Sequence, residues 1–385
     1  MKYETCQVCV AGGGIAGVSA ALSARRAGAD VLLLEREYLL GGLATLGLIA
    51  HYLPLCDGKG HQVSFGIAEE LLLLSAGLDA QPDVRASWQA RLSETPVPRY
   101  RYTFQPNLFA LLMEKLLLEN GVRIRYGAQV CGVETAGGRI VSLRVQEKDD
   151  VSVIRPQAVI DATGDAIVCK AAGAETECYP EGNIPASWYY TAEQGKLKLC
   201  PLGAFDDPDA AEEEAHASGT VYEGLDGAEV TDFCLRAHRT ILNDFSQRKK
   251  LSPSAELATV AAIPQLRMVR RLCGKTVLDT PQDAMPREDS IGLICDWRLR
   301  GPVYEIPYSC LYTEELSNLY SAGRCISTAG RMWDQTRVIP ACAVTGEAAG
   351  LAAANTAGGE RCDYSTLRRA LSDRGIPLHR EQLHF

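Results

Sequence analysis

The chain has 385 residues, of which 46% are hydrophobic and 23% are charged, a composition typical of ordinary globular proteins. This length suits one large domain accompanied by a smaller one. The formal net charge of −9, without any long run of lysine or arginine, disfavours a nucleic-acid partner.

The ends of the chain and its cysteines bear on location. The first residues, MKYETCQVCVAGGG, lack the basic start and apolar segment of a signal peptide. The apolar run at 339–359 is rich in glycine and alanine, so we interpret it as a buried helix rather than a membrane span. Fourteen scattered cysteines without metal-ligand spacing predict no metal site and favour a cytoplasmic protein with reduced thiols.

The first predicted strand carries a C-x-x-C pair, Cys6 and Cys9. Residues three apart on a strand point to opposite faces. We therefore interpret the pair as two buried thiols rather than a redox couple.

A glycine motif follows this strand. The apolar segment QVCVAG leads into Gly12, Gly14 and Gly17, which match G-x-G-x-x-G, then into a predicted helix at 15–28 and a strand that ends at Glu35. The first glycine permits a tight turn, the second lets a pyrophosphate approach the backbone, and the third allows close helix–strand packing. The helix N-terminus offers amides to phosphates, and an acid at this spacing binds a ribose. The segment predicts a dinucleotide site, with NAD and FAD both open; the alternative is a glycine-rich turn in an unrelated α/β protein.

Further motifs lie along the rest of the chain. GGLAT at 41–45 begins six residues after Glu35, where a second glycine pair would let the chain pass close to a longer cofactor. RIRYGAQVCGVE at 123–134 is typical of a pair of strands, while AVIDATGDA at 158–166 and NLYSAGRCIS at 318–327 each indicate a buried strand that meets a glycine turn. RVIPACAVTGEAAG then predicts a helix with Pro340 at its first position.

Together with CDGKGHQVSFGIAEELL at 56–72, these motifs resemble the family of FAD-dependent oxidoreductases. That family has the glutathione-reductase type of FAD fold and is distantly similar to fumarate reductase and succinate dehydrogenase flavoproteins. The resemblance implies an α/β fold: a Rossmann-like FAD-binding domain, with a parallel sheet, helices and a β-meander, plus an inserted α+β cap. The expected boundaries are 1–178 and 301–360 for the FAD-binding domain, 179–300 for the cap and 361–385 for a packing segment.

The resemblance also implies which residues hold a non-covalent FAD. The adenosine ribose is assigned to Glu35 with Arg36 beside it, adenine to the backbone of Val130, and the flavin pyrimidine edge to amides at the start of the late helix. An exposed arginine in a plain turn is the alternative for Arg324. The full set is Gly12, Gly14, Ile15, Ala16, Gly17, Glu35, Arg36, Gly42, Leu43, Ala44, Thr45, Val130, Ala162, Thr163, Gly164, Asp165, Gly323, Arg324, Ala341, Cys342 and Ala343.

Two features of related flavoproteins are missing from the sequence. No cysteine pair follows the second glycine motif, and no second G-x-G-x-x-G occurs. The sequence therefore predicts neither a dithiol relay nor a separate pyridine-nucleotide domain. His51 lies close to the flavin motif in sequence, and we interpret it as a polar wall residue rather than a site of covalent attachment.

The substrate site is expected at the boundary with the cap, because ligand pockets are common between domains. The cap prediction rests on an acidic stretch at 206–219 and an amphipathic helix at 231–250. Guanidinium groups bind carboxylates in a bidentate manner, and the candidates are Arg267, Arg271, Arg331 and, as first choice, Arg337. Structural ion pairing is the alternative for each of them.

A glycine-rich polar loop at 56–62 offers acid–base groups. It carries Asp57, Lys59 and His61, of which histidine is the best suited to proton transfer near neutral pH. A solvent-facing loop without chemistry is the alternative.

The function expected is hydride transfer between flavin N5 and a small organic substrate that can carry a carboxylate. An electron acceptor or donor of unknown identity completes the cycle, and an oligomer is left open. The alternatives are a flavin- or NAD-binding biosynthetic enzyme without net redox turnover, a non-catalytic protein on an FAD fold, and a flavoprotein that modifies nucleic acid, which the acidic charge disfavours.

Overall fold

The computed structural model describes residues 2–77, 101–203, 220–356 and 358–383. The strands are β1 Lys2–Ala11, β2 Val31–Leu34, β3 His51–Tyr52, β4 Tyr102–Thr103, β5 Arg123–Arg125, β6 Gln129–Ala136, β7 Arg139–Gln146, β8 Val151–Asp161, β9 Thr176–Cys178, β10 Tyr189–Glu193, β11 Lys196–Cys200, β12 Glu256–Val260, β13 Arg270–Leu272, β14 Ser290–Cys295, β15 Val303–Pro307 and β16 Leu319–Ser321. The helices are α1 Ile15–Arg26, α2 Ile67–Ser75, α3 Pro106–Glu119, α4 Ile167–Ala171, α5 Gly227–Leu251, α6 Gly330–Thr336, α7 Ile339–Ala354 and α8 Tyr364–Ser372.

The main sheet is the predicted Rossmann-like one. Its order is β5-β2-β1-β8-β7-β6, and β16 pairs with the carboxyl half of β8. Strands β5, β2, β1, β8 and β16 are parallel, whereas β6, β7 and β8 form an antiparallel meander. The carboxyl ends of the parallel strands, followed by glycine turns, therefore meet at one edge of the sheet, where ligands bind in open α/β sheets.

Helices α1 and α7 pack against each other unusually closely. A Cβ atom on Gly346 would lie 2.3 Å from the carbonyl oxygen of Ala16, and one on Gly350 would lie 2.3 Å from that of Ala20. Glycine is required at both positions because real Cβ atoms do not approach backbone oxygens this closely. The run predicted to be a buried helix is thus the partner of the dinucleotide helix, and no described helix is long and apolar enough to cross a membrane.

The chain between the two parts of the main sheet forms a second layer. Strands β11, β10 and β12 make an antiparallel sheet, and the predicted amphipathic helix is α5, which buries Phe233, Ala237 and Ile241 along one face. Their spacing of four residues matches the helical period. The acidic stretch at 206–219 lies outside the described residues, and the domain boundaries stay predictions.

Local expectations differ from the structure at three places. Residues 123–134 do form two strands, but β5 pairs with β2 and β6 pairs with β7, so the two do not pair with each other. Pro340 is the second residue of α7, because that helix begins at Ile339. The carboxyl-terminal segment at 361–385 contains helix α8.

The third difference concerns the C-x-x-C pair. Both thiols are free and buried, as predicted, but Cys6 and Cys9 belong to the same apolar cluster rather than to opposite faces. The amides of Gln7 and Val8 both donate to the carbonyl of Asp30, at 3.1 and 3.0 Å. Two successive amides therefore share one acceptor between the two cysteines, which is a departure from the regular hydrogen bonding of a strand.

Candidate cofactor and substrate site

A large cavity lies at the carboxyl ends of β1, β2, β8 and β16. The cavity has a volume of about 230 Å³. Most of the residues expected to hold FAD line it: Gly12, Gly14, Ile15, Ala16, Glu35, Arg36, Gly42, Leu43, Ala44, Val130, Ala162, Thr163, Gly164, Asp165, Gly323, Arg324 and Cys342. We call this set, except Arg324, the nucleotide side of the cavity.

Two glycines of the motif pack closely against the backbone, whereas the third borders open space in the cavity. A Cβ atom on Gly17 would lie 1.8 Å from the carbonyl oxygen of Gly12, and one on Gly12, whose φ is +101°, would lie 2.5 Å from that of Ala162. A Cβ atom on Gly14 would meet no protein atom within 4 Å, although this residue lines the cavity. The open space beside Gly14, at the start of α1, therefore fits a pyrophosphate in contact with the backbone.

Glu35 is held in place by backbone amides. One carboxylate oxygen accepts from the amide of Gly13 at 2.6 Å and the other from that of Glu37 at 2.8 Å. Burial raises the pKa of Glu35 above its usual value, and the two amides oppose this by stabilising the ionised form. A carboxylate offers about four lone-pair sites, so it can hold both amides and also accept from ribose hydroxyls. Arg36 lies at the edge, half-exposed and paired with Glu37.

Four predicted cofactor residues do not line the cavity. Gly17 packs closely against the backbone of Gly12, and Ala341 and Ala343 lie in the core. The hydroxyl of Thr45 donates to the carbonyl of Leu40, so it stabilises the GGLAT turn without lining the cavity.

The expectation for the late helix also needs correction. Because α7 begins at Ile339, the amide of Cys342 already bonds to the carbonyl of Val338, at 2.9 Å. Pro340 has no amide hydrogen, so the amides before this bond belong to Val338, Ile339 and Ala341, and of these residues Val338 and Ile339 line the cavity. Burial raises the pKa of the Cys342 thiol to about 12, so it is protonated at neutral pH and is a poor nucleophile.

Arg324 is not an exposed arginine in a plain turn. Its guanidinium donates to the carbonyls of Leu266 and Arg267, each at 2.9 Å, and lies 3.2 Å from the carboxylate of Asp165. The glycine turn after β16 is thereby fastened to the segment that carries Arg267.

Five side chains with polar groups make up the cationic side of the cavity: His51, Arg101, Trp188, Arg267 and Arg337. The rings of His51 and Trp188 meet edge-on with centroids 5.6 Å apart, and the guanidinium of Arg267 lies 5.1 Å from the centroid of the same indole. Arg337 is held by the carboxylate of Asp334, at 2.6 Å. Two of the predicted anion-binding arginines, Arg267 and Arg337, therefore reach one cavity.

The structure does not bring the other three candidate catalytic residues to this cavity. Arg331 bonds to the buried carboxylate of Asp296 at 3.0 Å, and Arg271 pairs with Glu177 and lies over Trp333. His61 lies 2.9 Å from the carboxylate of Asp57 in its loop. For the two arginines the geometry favours the alternative of structural ion pairing, and His61 lies in its loop away from the cavity.

Several residues that line the cavity or support its lining were not predicted from the sequence. Gly13, which bonds Glu35, lies between two motif glycines and carries no separate signal. Trp188 and Arg101 lie outside every motif, so only the folded chain shows them. Within the described parts of the chain, no group of three or more histidine, cysteine or acidic residues could hold a metal ion.

Comparisons with known proteins agree with this geometry. The family model described as "FAD dependent oxidoreductase" matches residues 7–187 and 253–371, which is more than half of the chain. A search of curated proteins gave no match.

Among solved structures, the chain is similar to a geranylgeranyl bacteriochlorophyll reductase-like protein from Thermoplasma acidophilum, with 15% identity, TM-score 0.49, and coverage of 97% of this chain and 84% of that one. It is also similar to p-nitrophenol 4-monooxygenase PnpA from Pseudomonas putida DLL-E4, with 14% identity, TM-score 0.46, and coverage of 98% and 82%. A flavocytochrome c3 fumarate reductase gives 15% identity, TM-score 0.44, and coverage of 91% and 78%. Since all three TM-scores are below 0.5, no conclusion rests on these neighbours.

The family match, by contrast, covers most of the motifs that form the nucleotide side. Its first segment includes the glycine motif, Glu35 and the turn after β8, and its second includes the turn after β16 and α7. These are the residues that the structure gathers around one cavity. The chain therefore belongs to the family of FAD-dependent oxidoreductases, and FAD is its cofactor.

Proposed function

We propose that this protein catalyses hydride transfer between FAD and a small organic substrate that carries a carboxylate. The observation that carries the proposal is the convergence of Arg267 and Arg337, from separate segments, on the cavity that holds the FAD motifs. Guanidinium groups recognise carboxylates through paired N–H donors.

The nucleotide side binds and orients the cofactor. The carboxylate of Glu35 accepts hydrogen bonds from the ribose hydroxyls, and the start of α1 beside Gly14 binds the pyrophosphate. The amides at the start of α7 stabilise negative charge next to them. Bound FAD would supply the hydride chemistry. Non-covalent binding is proposed, because the nucleotide side consists mostly of backbone groups and its one cysteine, Cys342, has a thiol whose pKa burial raises to about 12.

The cationic side binds and orients the substrate. Asp334 fixes the guanidinium of Arg337, while Trp188 supports that of Arg267 by a cation–π contact. Both Trp188 and Arg267 come from residues 179–300, which supports the proposal that this segment is the substrate cap. A second small molecule serves as electron acceptor or donor.

The test is an anaerobic absorbance spectrum of the purified holoprotein, followed by titration with a panel of 2-hydroxy, 2-amino and unsaturated carboxylic acids, each paired with the matching uncharged ester or amide. We expect one acid to bleach the flavin, or to reoxidise flavin that has been reduced beforehand, and its ester to react at least ~10-fold more slowly, as loss of a charged hydrogen bond predicts. An equal response to ester and acid would contradict the carboxylate assignment. No response to any member would contradict the proposed hydride transfer.

A further inference from the structure

Hydride transfer to or from a substrate that bears an O–H or N–H bond also requires a group that exchanges a proton. Neither the glycine motifs nor the arginines provide one, because an arginine side chain stays protonated. The proton-transfer group must therefore be sought among the other side chains that line the cavity.

The described lining residues offer few candidates. Glu35 is held by two amides, Asp165 lies beside Arg324, and Glu37 lies beside Arg36. Burial raises the pKa of the Cys342 thiol to about 12, far above working pH. His51 is the one remaining lining side chain of a type that gains and loses a proton near neutral pH.

His51 is also held in a definite orientation. Strands β3 and β4 pair His51 with Thr103, and the threonine hydroxyl lies 2.8 Å from Nδ1 of the imidazole. The hydroxyl can accept from a protonated Nδ1, which leaves Nε2 as the nitrogen that gains and loses a proton. This hydrogen bond is the same in both charge states of the ring, and the edge-on contact with Trp188 fixes the ring from the other side.

The other described histidines lie elsewhere. His61 and His379 each lie within 3.0 Å of a carboxylate, that of Asp57 and that of Glu305. His238 is exposed on α5. None of these three lines the cavity.

We infer that His51 is the acid–base residue of the reaction and exchanges a proton with the substrate through Nε2. The inference rests on the proposed function. In the oxidative direction, the substrate loses a C–H hydrogen with two electrons to oxidised FAD and its O–H or N–H proton to His51; the reverse direction returns both. Thr103 is a positioning residue, since it acts on the substrate only through the imidazole.

Cationic groups lie on the same side of the cavity as His51. Arg101 immediately precedes β4, and Arg267 lies across Trp188 from the imidazole. Arg337 lines the same cavity.

The first measurement needs no substrate. The flavin absorbance of the holoprotein is titrated between about pH 5 and pH 9, where histidine changes charge, in the wild type, His51→Gln and the matched surface control His238→Gln. We expect a one-proton spectral transition in the wild type and in the control and its loss in His51→Gln. A transition that persists unchanged in His51→Gln, or one that is missing from the wild type, would overturn the assignment.

The second measurement uses the acid identified by the panel. We expect His51→Gln to lower the rate constant of flavin bleaching by about 10²–10⁴-fold, the usual contribution of general acid–base catalysis, and to remove its pH dependence near neutrality. FAD affinity should change less than about threefold, because His51 makes none of the contacts assigned to the nucleotide. If no acid bleaches the wild type, the proposed function fails, whereas the spectral titration still decides the placement of His51.

A second pair of variants guards against a folding defect in His51→Gln. Thr103→Val removes the hydroxyl but leaves the imidazole, and it should displace the midpoint of the spectral transition; Thr103→Ser should restore it. Identical midpoints in Thr103→Val and the wild type would overturn the positioning role of Thr103.

Discussion

The nucleotide and cationic sides of the cavity are built in different ways. The nucleotide side consists mostly of backbone from short contiguous motifs, with Glu35 as its principal acid. The cationic side consists of side chains from separate segments, among them His51, Trp188 and Arg337. One side therefore depends on which residues permit a close backbone approach, and the other on which side chains the fold carries to the same place.

This difference predicts how each side responds to mutation. A backbone site fails when a single atom is added, because the space for the ligand lies directly against the chain. A side-chain site loses affinity in steps, because each member contributes its own hydrogen bonds or contacts.

The sharpest contrast lies within the glycine motif itself. Gly14→Ala should fold normally, since its Cβ would meet no protein atom within 4 Å, but should bind FAD more than ~100-fold more weakly, because the added methyl occupies the pyrophosphate space. Gly17→Ala should instead yield little folded protein, because its Cβ would lie 1.8 Å from the carbonyl oxygen of Gly12. Thermal unfolding of the apoproteins and fluorescence titration with FAD separate the two effects. Normal FAD binding by Gly14→Ala would refute the backbone description of this side.

Glu35 tests the one acidic side chain on which the nucleotide side depends. In the wild type, one carboxylate oxygen of Glu35 accepts from the Gly13 N–H and the other from the Glu37 N–H. In Glu35→Gln, the side-chain NH2 replaces one of these oxygens and must face one of the two N–H groups. FAD affinity should therefore fall by about 10- to 100-fold, as expected when a charged acceptor is lost and two donors oppose each other. Arg36→Gln serves as the control: this arginine is half-exposed, and the effect on FAD affinity should stay below about threefold. Equal effects of the two substitutions would contradict this prediction.

The cationic side is tested by two arginines that both pair with carboxylates. Arg337→Gln should weaken binding of the carboxylate substrate by about tenfold, whereas Arg331→Gln should change it by less than about twofold, because only Arg337 lines the cavity. The readout is the substrate concentration that gives half-maximal flavin bleaching, with FAD affinity measured in parallel. A larger effect from Arg331 would show that the cavity does not bind the substrate where we propose.

The smallest effect concerns a buried acid outside both sides. Glu347 in α7 accepts from the amide of Ile67 at 2.8 Å and lies 3.6 Å from Arg374. Burial raises its pKa above 4.5, opposed by the amide and the arginine. Because the folded pKa is the higher one, the protonated form stabilises the fold below the unfolded pKa, and this stability is lost as the pH rises through the folded pKa.

In Glu347→Gln this part of the pH dependence should disappear, with a change of about 1 kcal/mol or less in the free energy of unfolding at neutral pH. Thermal unfolding at a series of pH values between 4 and 8 measures it. FAD affinity should stay as in the wild type, since the residue does not line the cavity. A stability that rises with pH in the wild type but not in the variant would reverse the sign of this assignment.

Residues of the same type that the sequence does not distinguish occupy different places in the structure. Arg267 and Arg271 lie four positions apart with the same chemistry, yet Arg267 lines the cavity and Arg271, within β13, pairs with Glu177. Likewise His61, the better candidate from its loop, pairs with Asp57, while His51 reaches the cavity. Position along the chain does not distinguish these residues, because the direction of a side chain depends on the strand register and on partners far away in sequence.

FAD is expected from the resemblance of the motifs to a known family. Local sequence patterns are sufficient to predict the parallel sheet, the dinucleotide turn and the burial of the late helix. Each follows from local rules: glycine spacing, apolar runs and the position of an acid after a strand are all set within about 30 residues of each other. The arginines and the histidine that share the cavity with the cofactor depend instead on how distant segments of the chain pack together. Their placement depends on contacts such as Arg324 with the carbonyl of Arg267 and His51 with Thr103, which join segments distant in the chain. No local pattern encodes such contacts, since they arise only when the layers pack.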